Sequence, residues 1–240
     1  MFQHASNELE IPGVVDWSKH FDRAYQAPPS KHMAAITKPS EVAGLLKAIQ
    51  SYRETNLLTA LLLKFSVLTF VRPGEARQAE WTEIDDKDRL WRVPTGKIKM
   101  GRAHLVPLSP QILALLEELR TVSGCGRFLF PGFRGNDRPV CDGVARAALR
   151  RIGYSNEDIT PHGFRTTAST ILHEKGFPTD WIEIQLSHKD RNKVRAAYRH
   201  PAEFLEGRKK MMNWWGGYIN SLENDSLEPH LPILPFIQEG

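Results

Sequence analysis

The chain has 240 residues, a formal net charge of +4 and a sequence isoelectric point near 9.1. Hydrophobic residues make up 41%, a proportion typical of soluble globular proteins that argues against disorder throughout. The length suits one sizeable core or two small ones, and the mild basic excess permits a polyanionic partner without requiring one.

Residues 1–35 carry Pro12, Pro28 and Pro29 and no apolar core, so they read as a linker or residual segment, with no signal peptide expected. A helix is predicted over 37–53, with Thr37 as its cap, Pro39 in its first turn, and Val42, Leu45, Leu46 and Ile49 at helical spacing. The run from Asn56 to Val71 is apolar nearly all round and predicts a central, buried helix. Thr59, Lys64, Ser66 and Thr69 interrupt it, and it is too short to span a bilayer. Pro73 forces a break and a new helix start directly after Arg72.

RLWRV and AHLVPL, within residues 89–108, are rich in β-formers and flank the polar connection TGKIKMGR. They predict a small antiparallel hairpin or three-stranded sheet. Ser109-Pro110 opens a helix bearing Ile112, Leu113, Leu116 and Leu119, residues 124–139 read as a loop, and Asp142 is placed to cap a helix reaching Ile152. Cys125 and Cys141 have no metal-ligand spacing, which favours a reduced compartment without a disulfide framework. A helix over 161–175, stopped by Gly176 and Pro178, is followed by a short one from Thr179 or Asp180, and another runs from Pro201 to about Leu222. Residues 223–240 form a Pro-rich, irregular tail. The fold class expected is mainly α with a small antiparallel β-sheet (α+β).

The stretch from Thr160 to His200 carries the chemistry: His162 and Arg165 in HGFR, then His188 in LSH, then Tyr198. Three residues apart, His162 and Arg165 share a helix face near its N-terminus, where backbone N–H groups and the helix dipole favour an anion. The arrangement reads as a phosphate-binding site with a tyrosine poised to attack. Taken singly, each residue has an ordinary reading: a solvated arginine, a helix-terminal histidine, a half-buried aromatic. Their joint occurrence in one order is the specific signal. HExxH, GxxxxGK[ST] and GxSxG motifs are absent; the spacing of His188 and His200 is compatible with a zinc site, and nothing else in the sequence supports one.

This combination resembles the C-terminal boxes of the tyrosine recombinases, most closely those of prophage integrases, in which H-x-x-R, L-x-H and the nucleophilic Tyr follow in turn. HKDRNKVRAAY is close to the integrase form, while Pro161 stands where such integrases usually have Gly. The T-x-x-R-x-x-E box of that family is matched by TFVRPGEAR, which implies Arg72 as a second phosphate arginine and Glu75 as its support. The family's β-hairpin lysine corresponds to Lys99, eight residues before Pro107 and within the form K-M-x-R-x-H; Lys97 is the alternative.

The resemblance covers residues 35 to 220 and implies a catalytic domain over 36–222 that cleaves and rejoins DNA at specific sites through a 3′-phosphotyrosyl intermediate. In relatives, arm-binding and core-binding domains come first; residues 1–35 are shorter than either, so a catalytic domain alone is expected. Tyrosine is a weak nucleophile, and ionising it at pH 7 costs roughly 4 kcal/mol. A base is therefore expected, with His162 the best candidate and His188 a donor to the phosphate. Arginine forks suit the charge that builds on the phosphate oxygens, one such donor being worth roughly 3 to 4 kcal/mol. Lys99 would protonate the leaving 5′ oxygen.

No cofactor or metal is required by this scheme. The implied partners are double-stranded DNA at attachment sites, a homotetramer on DNA and an accessory directionality factor, in the bacterial cytoplasm and without a membrane. Arg102, Lys189, Arg191 and Lys193 are candidate phosphate contacts. The rival readings are a type IB topoisomerase, or a DNA-binding regulator that keeps the fold without turnover.

Overall fold

The computed structural model describes residues 34–97, 104–133, 135–188 and 204–232, without the side chain of Asn136. The first helix, α1, spans Pro39–Tyr52 and buries Val42, Leu45, Leu46, Ile49 and Tyr52 along one stripe. Its N-cap is Lys38, in extended conformation, where Thr37 had been expected. The residue before a proline is driven out of the helical region, so the last non-helical position falls at 38 and Thr37 lies one step outside.

Helix α2, Leu57–Thr69, is the hub expected from its apolar sequence, with every residue from Thr59 to Thr69 buried except Lys64. Asn56 caps it by accepting the Thr59 N–H at 2.9 Å. It ends on Phe70 in the left-handed region, φ 39°. Helices α1, α2, α4 (Pro110–Ser123), α5 (Val144–Arg151) and α6 (Gly163–Glu174) surround this core. Helix α4 opens at Ser109-Pro110 as predicted, and Ser109 caps it, its Oγ accepting the Ile112 N–H at 3.4 Å. Gly143, not Asp142, sits at the N-cap of α5; the Asp142 carboxylate instead pairs with Arg77 at 3.4 Å.

Strands β1 (Ile84–Asp85), β2 (Leu90–Val93) and β3 (His104–Pro107) form an antiparallel sheet in that order, with Leu90 opposite Pro107 and Val93 opposite His104. A second ribbon, β4 (Pro131–Gly132) with β5 (Gly135–Pro139), occupies part of the stretch expected to be a loop. Its residues are turn-formers with no apolar alternation, so the strand period leaves no trace in sequence.

Three further helices frame the site: α3 (Pro73–Arg77), α7 (Thr179–Gln185) and α8 (Leu205–Glu223). Helix α6 begins at Gly163, where a Cβ would lie 2.2 Å from the Ala34 carbonyl oxygen; only glycine allows that approach. Helix α8 packs on its own domain, against α1, α4, α7, α2 and β3. Its Gly207 abuts Trp181, whose ring would be 2.2 Å from an added Cβ. Residues after α8 fold back in cis: Glu228 pairs with Lys175 at 2.6 Å, and the Pro229 carbonyl accepts the Trp214 indole N–H at 3.0 Å. Among the described residues, no helix is long and apolar enough to cross a membrane.

Candidate active site

Pro73 places Arg72 at the N-cap of α3, extended at φ −64°, ψ 142°. The buried Glu75 carboxylate reaches back to it, accepting its backbone N–H at 3.0 Å and its Nη1 at 2.9 Å. A carboxylate at the third helical position returning to the N-cap N–H is half of a capping box; here the same group also clamps the guanidinium. The Nη2 of Arg72 donates to the Ser187 carbonyl at 2.7 Å.

Arg165 stands in the first turn of α6 and is 4% exposed. Its Nη1 donates to the Phe70 carbonyl at 3.0 Å and its Nη2 to the Leu186 carbonyl at 2.6 Å. The two arginines, far apart in sequence, are thus held by the consecutive carbonyls of Leu186 and Ser187, at the end of α7. Each carbonyl partner involves a helix terminus with a non-glycine residue in the left-handed region, Phe70 at φ 39° and Ser187 at φ 51°. Such conformations are uncommon outside glycine and cluster where the surrounding structure enforces them.

Burial, and then the neighbouring Arg72, push the Arg165 guanidinium down to about 10, with Glu75 and Glu183 opposing. It stays charged at neutral pH. The half-buried His162 precedes α6 at its N-cap. Burial lowers its basicity, and the charges of Arg165, Arg72 and His188 lower it further. A neutral imidazole at physiological pH is what a proton acceptor needs. His188 is exposed, and its Nδ1 meets the Glu183 carboxylate at 2.8 Å. A carboxylate accepts, so Nδ1 is the donor, and the contact fixes the ring's orientation.

Arg72, His162, Arg165 and His188 therefore form one electrostatic neighbourhood, with Glu75 behind it. Lys99, Arg102, Lys189, Arg191, Lys193 and Tyr198 lie outside the described residues, as does His200. Lys97, the alternative lysine, is engaged elsewhere: its Nζ donates to the Gln78 carbonyl and to Glu80 at 2.7 Å each, and to Glu83. Glu80 is held down to about 2, first by the hydrogen bond from Arg127 and then, against burial, by Lys97. Lys97 thus anchors the start of the β2–β3 connection. Among the described residues, no group of three or more His, Cys, Asp or Glu is arranged to hold a metal.

Sequence reasoning missed four side chains around the site. Glu183 orients His188. Gln185 donates its Nε2 to the Thr69 carbonyl at 3.3 Å. Arg208 donates its Nη2 to Gln185 Oε1 at 2.7 Å and to the Leu105 carbonyl. His104, 5% exposed on β3, has neither ring nitrogen in a well-formed hydrogen bond among the described residues. Burial drives its basicity well down, and Arg208, Arg165 and Arg72 add to this, against a weak contact to the Ile184 backbone. The K-M-G-R-A-H run holds His104 in plain view, but nothing local marks it as buried among arginines.

The model of the phage integrase family matches residues 36–203. Prophage integrase IntA of Escherichia coli K12 is 36% identical over 217 residues, which span 90% of this chain and 52% of that protein. The integrase of Enterobacteria phage P4 is 38% identical over 209 residues, 81% of this chain and 47% of that protein. The chain therefore spans about half the length of these curated relatives. Among solved structures, a lambda integrase (75-356) dimer bound to a COC′ core site is similar with a TM-score of 0.60 at 19% identity, over 79% of this chain and 68% of that one. At that identity the likeness is one of fold, and the fold is that of the tyrosine recombinase catalytic domain. With a family match over most of its length and the two boxed arginines side by side, this chain belongs to the phage integrase family.

Proposed function

We propose that residues 36–222 act as the catalytic domain of a site-specific recombinase, cutting and rejoining double-stranded DNA at the attachment sites of a prophage or genomic island. The observation that carries this reading is the pairing of Arg72 and Arg165 on the Ser187 and Leu186 carbonyls, beside His162 and His188. A phosphodiester between the two forks would have its non-bridging oxygens neutralised as charge grows on them.

Tyr198 would attack the phosphorus, forming a 3′-phosphotyrosyl ester and expelling the 5′ oxygen. Its proton would pass to His162, and Lys99 would protonate the leaving oxygen. The reverse step, with a second strand's 5′ hydroxyl as nucleophile, restores the tyrosine and joins the DNA. The bond energy is conserved, so neither nucleotide nor metal is consumed. With both ring nitrogens protonated, His188 would donate Nδ1–H to Glu183 and Nε2–H to a phosphate oxygen, and Glu75 would hold Arg72 without touching the reactants. Arg102, Lys189, Arg191 and Lys193 would meet flanking phosphates. A homotetramer on two duplexes, a directionality factor and a cytoplasmic location belong to the same proposal.

The test is a nicked, labelled duplex carrying the attachment site. An SDS-resistant protein–DNA adduct is expected, persisting in EDTA and vanishing in Tyr198→Phe. A shifted duplex with no adduct would overturn the proposal in favour of a binding-only protein.

A further inference from the structure

Arg208 presents a chemical puzzle. It is 0% exposed and carries a charge, yet among the described residues no carboxylate is paired with it. Its Nε and Nη1 are buried without a partner there. A buried cation without a counter-ion is costly, and such groups persist where they hold something in place. Its bonds show what that is. Nη2 joins Gln185 Oε1 on α7 and the Leu105 carbonyl on β3. Gln185 in turn donates to Thr69 at the end of α2. One guanidinium therefore ties the start of α8 to the strand leading away from the β2–β3 connection and to the helix whose end holds both phosphate arginines.

In sequence, Tyr198 lies between His188 and Phe204. Both flanking points are tied to α7: the first through the Leu186 and Ser187 carbonyls held by Arg165 and Arg72, the second through Arg208 and Gln185, four residues into α8. Gly207, directly before Arg208, lets α8 approach Trp181 of α7 at a distance no side chain would permit.

We infer that Arg208, with Gln185, is a positioning residue for strand cleavage: it latches α8 to α7 so that both ends of the tyrosine-bearing segment are referenced to the arginine pair. This rests on the recombinase reading above. Methionine at 208 keeps the aliphatic bulk and removes the Nη2 donor; lysine keeps the charge and N–H donors on a shorter, non-planar head that does not place them where Nη2 sits.

The experiment uses the full chain and two readouts. Hydrogen exchange in Arg208→Met is expected to accelerate roughly tenfold or more at the amides of 186–188 and 204–208 while α1 and α2 keep their protection. With the nicked duplex, adduct formation is expected to slow roughly tenfold or more, with half-saturation by DNA within about twofold of wild type. Arg208→Lys should recover part of the rate, and Gln185→Met, which leaves the guanidinium in place, should reproduce the defect. Unchanged exchange at 186–188, exchange rising equally in every helix, or cleavage and DNA binding falling in parallel would each overturn the inference. If the wild type forms no adduct, the recombinase reading fails, and the exchange pattern still decides whether the latch exists.

Discussion

Replacing Arg165 by methionine should abolish strand cleavage with a much smaller effect on folding. The guanidinium donates two hydrogen bonds to carbonyls, Phe70 and Leu186. Bonds from a charged donor contribute about 1.5 to 3 kcal/mol each. Against them stands the cost of keeping this cation where it is. Its displacement from 12.5 to about 10 corresponds to about 3 kcal/mol against the charged form. Methionine relieves that cost while filling similar apolar space, so the net loss of stability should fall between about 0 and 3 kcal/mol. The transition state has no such offset. A lost oxyanion donor removes roughly 3 to 4 kcal/mol, or roughly a hundredfold to a thousandfold in rate. Urea unfolding gives the first quantity, and single-turnover adduct formation on the nicked duplex gives the second. A folded Arg165→Met protein that cleaves within about tenfold of wild type would refute the assignment of this arginine to the phosphate.

Because burial, and then the neighbouring Arg165, Arg72 and His188, lower the His162 pKa, the ring stays a competent acceptor below the ordinary histidine value of about 6.5. Cleavage measured as kcat/KM should hold its plateau down through pH 6.5 and fall only on further acidification; a rate still climbing between about pH 6.5 and 7.5 would contradict it as the base. His104 should make the fold acid-labile. Its folded pKa lies well below its unfolded value, so the unfolded chain binds the extra proton, and stability is lost as pH falls below about 6.5, at up to about 1.4 kcal/mol per unit. The pH 5 to 7 difference in urea midpoint should shrink in His104→Gln, and an equal difference in both proteins would remove His104 from the account. Lys97→Met should destabilise by about 2 kcal/mol, since Glu80 and Glu83 lose a shared cation, yet leave cleavage within about tenfold, whereas Lys99→Met should cost roughly a hundredfold or more. The reverse ranking of the two lysines would reassign the general acid.

The parts of the molecule readable from sequence are those whose physical cause is local. Helix α2 announced itself because an all-apolar helix has nowhere to go but the centre. Pro73 and Pro110 marked helix starts because the missing N–H and fixed φ act on the residues beside them. His162, Arg165 and His188 read as one anion site from their own stretch, whereas Arg72, far upstream, joined them only through a family pattern. What stayed hidden is tertiary. The β4–β5 ribbon is made of turn residues and owes its pairing to the register imposed around it. The cap of α1 moved by one position because Lys38, not Thr37, precedes the proline. Arg208 and Gln185 are an ordinary charged residue and an ordinary amide on amphipathic helices, and their burial exists only once β3, α7 and α8 meet.

How the arginines are held bears on what they are for. A guanidinium paired with a carboxylate is a neutral unit with little left to offer an anion. Among the described residues of this site only Arg72 is bonded to a carboxylate, Glu75, and it gives its other terminal nitrogen to a carbonyl. Arg165 is oriented by carbonyls alone, and Arg208 by a carbonyl and an amide. The Phe70, Leu186 and Ser187 carbonyls follow the last turns of α2 and α7, where backbone oxygens lack intrahelical donors and carry the negative end of the helix dipole. They can aim a cation without discharging it. The resulting excess of positive charge, expensive in the free protein, is the charge that a phosphodiester entering between the forks would neutralise. On this argument DNA binding should stabilise the fold as well as occupy it, and most of that gain should disappear in Arg165→Met even though the variant folds.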